Sequence, residues 1–143
     1  MKRFKFGLQS VLGLKENIEE NEKMLLYDLK AQMSRLMDEL HSLEERYKKC
    51  AGERNALSAK GVSVIRLEQY CNYLKELEGL QRQKRSEIDK LQERIDRQVE
   101  ALRQVSVEVK SLEKLKEAQY RLYGKLADRE NERMIDDFIA ARA

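Results

Sequence analysis

One unbroken heptad run, from about Leu67 to about Leu126, narrows what this chain can fold into more than anything else in it. Leu67, Tyr70, Leu74, Leu77, Ile88, Leu91, Ile95, Leu102, Val105, Val109, Leu112, Tyr123 and Leu126 share one stripe. Gln81, Lys84, Gln98, Lys116 and Gln119 occupy other positions of that stripe without disturbing its 3.5-residue period. A stripe this narrow cannot enclose a globular core. It seals against one partner helix, which is the behaviour of a coiled coil.

Composition agrees. Charged residues make up 38% of the 143 and hydrophobic ones 41%, with no proline and no tryptophan. That balance suits a single unit of long, wet helices and predicts no deep pocket. The 29 basic and 26 acidic residues are interleaved and leave a formal charge of +3, so nucleic acid is not an expected partner. Even the richest basic stretch, Arg82 to Arg97, is interrupted by Glu87, Asp89, Glu93 and Asp96. No apolar h-region follows Met1-Lys2-Arg3-Phe4, and no apolar run reaches membrane-spanning length. The expectation is a soluble, cytoplasmic protein whose two cysteines, Cys50 and Cys71, stay reduced.

The partner helix lies upstream in the same chain. A first helix is predicted over about 6–59, with a seam of Leu8, Val11, Ile18, Leu25, Leu29, Met33, Leu36, Leu40, Leu43, Tyr47 and Cys50. Two consecutive steps of four, Leu25 to Leu29 to Met33, read as a stutter that straightens the supercoil. The reversal falls at about 60–62, where Gly61 can take the left-handed conformation and Ser63 can cap a second helix over about 63–139. So short a loop makes the neighbours antiparallel. The predicted fold is therefore all-α: a long antiparallel two-helix coiled-coil hairpin, one domain over 1–143, with the longer helix at the C-terminal side. Reversal near residue 60 would set Tyr47 opposite Leu74, Met33 opposite Ile88, Cys50 near Cys71, and Phe4 and Phe6 near Glu117 and Tyr120. An arm of this length would extend about 110 Å.

No catalytic, metal or cofactor constellation is present: His41 is the one histidine, and two lone cysteines with it do not make a zinc site. An enzyme is not expected. Aromatics gather towards the two ends of the predicted pair. Near the reversal, Tyr73, Leu77, Leu80 and Lys84 form a second stripe beside the seam, with Leu43 and Tyr47 across from it. Such a strip is either a docking surface or a local widening of the seam. At the other end, from about Tyr120 to Phe138, the second helix should overhang its partner. Leu122, Leu126, Met134, Ile135, Phe138 and Ile139 would then need a receiving partner, since isolated helices are marginal.

Three segments together resemble the flagellar type III export protein FliJ family, over essentially the whole chain. They are Phe4-x-Phe6-x-Leu8-Gln9-x-Val11-Leu12 before a charged helix, Gly61 followed by Tyr70-x-x-Tyr73-Leu74-x-x-Leu77, and Glu132-x-Met134-x-Asp136-Asp137-Phe138. The resemblance implies a non-enzymatic coupling factor similar to the central stalk of rotary ATP synthases, with counterparts in injectisomes. It implies a terminal end that enters the hexameric flagellar export ATPase and promotes its assembly and activity. Candidates there are Lys2, Arg3, Lys5, Arg121, Lys125, Arg129 and Arg133. It implies a hairpin side that meets the cytoplasmic part of the membrane export gate, with Leu43, Tyr47, Tyr73, Leu77, Leu80 and Lys84 as candidates. Export chaperones are further implied partners, and no cofactor is. The expected state is a monomer, peripheral to the cytoplasmic membrane at the flagellar base through its partners only. An export chaperone or chaperone escort, using the same strip for unfolded segments, is the alternative reading, and a self-associating scaffold is a third.

Overall fold

The computed structural model describes residues 2–143. It contains two helices, α1 (Gln9–Lys60) and α2 (Val64–Arg142), and among the described residues no strand. This is an all-α helical hairpin whose second helix is the longer, 79 residues against 52. The chain divides into two compact units: a terminal unit of the residues up to Lys23 with Glu100–Ala143, and a reversal unit, Met24–Val99.

In the reversal unit the turn is made by Gly61–Ser63. Gly61 has φ +79°, the left-handed conformation that ends a helix cheaply only in glycine. Its N–H donates to the Ser58 carbonyl at 3.3 Å. The Ser63 hydroxyl accepts from the Arg66 N–H at 3.4 Å and so caps α2. The two helices run antiparallel: the Gln81 amide donates to the Leu43 carbonyl, Tyr47 bonds Glu78, and Lys84 pairs with Glu39. Further along, Leu29, Met33, Leu91 and Ile95 form a buried cluster, with Leu26, Leu36 and Ile88 packed on it.

The register differs from the expected one. Tyr47 meets Glu78 rather than Leu74, and Met33 packs with Leu91 and Ile95 as well as Ile88. The reason is the position of the turn. It is centred on residue 62, and a shift of the turn is doubled in the partner position. By the same register, Leu43 against Gln81 brings Cys50 level with Leu74 and a turn beyond Cys71; both cysteines are free thiols.

In the terminal unit, Phe6, Leu12 and Val109 are buried together, with Phe4, Val105 and Leu112 against them. Here α1 begins at Gln9, not Phe6. Residues 2–6 are non-helical, and the Gln9 N–H donates to the Phe6 carbonyl at 3.1 Å as the chain turns into the helix. Lys116 bonds the Gln9 side chain at 2.8 Å, and Lys15 pairs with Glu108 at 2.6 Å.

The stripe expected on α2 faces inward as far as Lys116, with Leu74, Leu77, Gln81, Leu91, Ile95 and Val109 buried; of its last positions, Tyr123 is half-buried while Gln119 and Leu126 are exposed, because α1 no longer covers them. The α1 stripe requires correction. Its inward positions are Leu12, Lys15, Glu19, Glu22, Leu26, Leu29, Met33, Leu36, Leu40, Leu43, Tyr47 and Cys50, in strict alternation of three and four. There is no stutter. Leu8, Val11 and Leu25, assigned to the seam from sequence, are exposed, and Leu12 and Leu26 take the inward places instead. The sequence pattern misleads here because three successive inward positions of α1 are charged while apolar residues stand on its outer face.

Candidate functional site

Two surfaces were expected to bind partners. On the reversal unit, the six strip residues separate by burial. Leu77 is 2% exposed and Leu43 is buried, so both belong to the seam. Tyr73 and Leu80 remain 44% and 41% exposed. Each lines a shallow groove: Tyr73 with Arg46, Lys49, Cys50, Glu53, Arg66, Gln69 and Tyr70 in one of about 540 Å³, and Leu80 with Glu39, Ser42, Leu43, Arg46 and Lys84 in one of about 380 Å³. Arg46 lines both, so the two grooves adjoin.

Lys84 does not stand free in the second groove. Its ammonium bonds Glu39 at 2.6 Å and Glu87 at 3.6 Å, and the hydrogen bond to Glu39 raises its pKa above the ordinary lysine value. Tyr47 lines neither groove. Its hydroxyl donates to Glu78 at 3.0 Å, a bond that raises its pKa. Burial pushes the Cys50 thiol up as well, so it is protonated at neutral pH and a poor nucleophile. The structure thus brings Tyr73, Leu80 and Lys84 to one grooved face, seals Leu43 and Leu77 beneath, and leaves Tyr47 outside. Val64 and Ile65, in the first turn of α2, are strongly exposed and formed no part of the sequence-predicted strip. Only their place immediately after the turn marks them, since neither continues the heptad.

On the terminal unit, Phe4 is clasped by two tyrosines, with ring centroids 5.2 Å from Tyr120 and 5.6 Å from Tyr123. The Tyr123 hydroxyl donates to the Lys2 carbonyl at 2.6 Å. This clasp holds the exposed Lys2, Arg3 and Lys5 beside the stretch of α2 that bears Arg121 and Lys125. Arg121, Lys125, Arg129 and Arg133 follow at intervals of four, which places them in one slowly winding row along the helix. All seven cations are exposed. The partnered part of α2 reaches Tyr123, a few residues further than expected, because the non-helical segment carrying Phe4 covers it. Beyond that, every residue from Asp128 to Ala143 is exposed, including Met134, Ile135, Phe138 and Ile139. The one ring contact there is local, Arg142 lying 4.7 Å over the Phe138 ring.

Among the described residues no group of three or more His, Cys, Asp or Glu is placed to hold a metal ion. His41 is exposed and lies 3.9 Å from Glu45 on its own helix. No helix of the described residues is long and apolar enough to cross a membrane.

No curated protein and no solved structure matches the chain. A family model does, that of the flagellar FliJ protein, over residues 4–143. The match takes in the aromatic clasp, the Gly61 turn, the grooved face and the bare end of α2 in one continuous alignment, and the chain belongs to the flagellar FliJ protein family.

Proposed function

We propose that this chain is a non-enzymatic coupling factor of the flagellar export apparatus, with the terminal unit engaging a hexameric export ATPase and the reversal unit engaging the export gate. The observation that carries this reading is the end of α2. Five turns of helix run on past the clasp with an apolar stripe that no described residue covers. A helix with Met134, Ile135, Phe138 and Ile139 bare gains its stability from a receiving surface, and the core of a ring-shaped partner supplies one. The row of Arg121, Lys125, Arg129 and Arg133 gives that contact electrostatic steering. At the reversal unit, the Tyr73 and Leu80 grooves offer the half-exposed aromatic and aliphatic anchors typical of interface centres. Localisation at the membrane would then follow from the gate and not from the chain itself.

The test is an ATP hydrolysis assay with the purified export ATPase. Wild-type chain should stimulate turnover, and Arg129→Glu combined with Arg133→Glu should reduce stimulation by about tenfold, as expected when two interfacial charges are reversed. Unchanged stimulation by the double variant would sink the terminal contact. Gate binding that survives Tyr73→Ala with Leu80→Ala would do the same for the reversal contact.

A further inference from the structure

The terminal unit has a second apolar surface, formed by both helices, which runs into the bare end of α2 at Leu126. On α1, Val11, Leu14 and Ile18 repeat at three and four; Leu14 is 58% exposed. On α2, Leu115, Leu122 and Leu126 repeat at seven and four, with Leu115 40% and Leu122 58% exposed. The Lys15–Glu108 ion pair shows that the two stripes open on the same side. Val11 lies four residues before Lys15 and Ile18 three after it, while Leu115 lies one heptad after Glu108, so each stripe stacks on its own end of that bridge.

In a chain that is 38% charged, the Val, Leu and Ile positions of this face stand among few charges, Lys114 and Arg121 lying on its outer α2 side. Its margins are Ser10 and Asn17 on α1 and Ser111 and Ala118 on α2, short side chains that let a third backbone approach. The one ion pair on it, Lys15 with Glu108, cancels itself. Positive charge is densest at one end, where Lys125 and Arg129 follow Arg121 along the α2 margin, exposed and without an ion-pair partner among the described residues.

We propose that this face receives one amphipathic helix of a partner protein, apolar along a single heptad stripe and acidic at the end that overlies Lys125 and Arg129. Such a helix would complete a three-helix packing over the Leu14 and Leu115 stripes and cover the exposed apolar side chains of both. A second copy of this chain fits less well, since its matching face would offer Lys125 and Arg129 no acidic end. The proposal stands apart from the coupling role: Lys125 and Arg129 could serve either contact, but Leu14 and Leu115 only this one.

The probe is a labelled synthetic amphipathic helix about four heptads long, leucine at the seam positions, with a glutamate-rich last turn. A control peptide carries lysine there instead. Fluorescence anisotropy with the full chain should show saturable binding of the acidic peptide, about tenfold tighter than the lysine version. Leu14→Asp with Leu115→Asp should weaken binding by about tenfold or more while leaving the circular dichroism spectrum unchanged, because both residues are exposed. Tyr27→Ser, on the other unit, should bind as wild type. The proposal is overturned by no saturable binding, by equal affinity for the two peptides, by normal binding of the double variant, or by a wild-type dimer in sedimentation that the double variant disperses.

Discussion

Gln81 is the one buried polar side chain among the described residues. Its amide donates to the Leu43 carbonyl at 3.4 Å, and it stands between the apolar layers of Leu77 and Leu91. The Leu43 carbonyl is inside α1 and already receives a helical hydrogen bond, so losing Gln81 leaves no orphaned acceptor. Replacing the amide by an apolar side chain therefore removes a desolvation cost without creating a new one. Gln81→Leu is expected to raise stability by about 1–2 kcal/mol, read as a higher urea midpoint at unchanged slope. A lower midpoint would show that the long amide contact is worth more than burial of the leucine. What Gln81 supplies is register, because a polar group in the seam is satisfied in only one alignment of the helices. Lys84 acts similarly one layer on, reaching Glu39 across the pair. Its raised pKa means that the ammonium stays charged through the ordinary lysine value and gives up its proton only as pH rises through the elevated one, so neutral and mildly alkaline solutions leave the pair intact.

At the scale of the helix, two glycines of opposite role separate conformation from packing. Gly61 sits at φ +79°, where any L side chain is strained whatever space surrounds it. Gly79 is inside α2 with open space where a Cβ would stand. Gly61→Ala should lower stability by about 1 kcal/mol, and Gly79→Ala should raise it by about 0.5–1 kcal/mol, both measured by denaturant melts. Equal effects of the two changes would mean that the turn is not held in the left-handed state. The contrast also explains what the sequence made legible. The turn, its cap and the α2 stripe as far as Lys116 could be read because each rests on local chemistry: a glycine, a serine and a repeat filled by leucine, isoleucine and valine. The first turns of α1 could not. There Lys15, Glu19 and Glu22 face inward, with Lys15 paired to Glu108 across the helices and Glu19 to Lys23 along its own. Hydrophobicity alone follows Leu8, Val11 and Leu25, which lie outside, and it shifts the apparent phase. One of those misassigned residues, Val11, belongs to the apolar surface on which a third helix is proposed to dock. The strip near the reversal was half legible in the same sense: helical spacing put Leu43 and Leu77 beside Tyr73 and Leu80, but only the true register separates seam from surface.

For the molecule as a whole, the consequence is that the residues holding the fold together differ from those proposed to meet partners. The buried clusters are Leu29, Met33, Leu91 and Ile95 in one unit and Phe6, Leu12 and Val109 in the other, with the Phe4, Tyr120 and Tyr123 clasp closing the second. None of these contacts involves a residue after Tyr123. Residues 128–143 bury nothing against the rest of the chain, so their helix should open locally without opening the remainder. Removing 128–143 should therefore shift the thermal midpoint by no more than about 2 °C, while the helical signal falls in proportion to the residues lost. The same truncation should abolish stimulation of the export ATPase if the bare stripe of Met134 and Phe138 is the element received by the ring. A drop in midpoint of about 5 °C or more would show that the segment is packed in solution, either on its own chain or on another copy, and sedimentation of the full-length protein would tell these apart. An unchanged midpoint with full stimulation would leave the fold as described and remove the end of α2 from the proposed contact, leaving the clasp and its cations as the part of the terminal unit proposed to meet the ATPase.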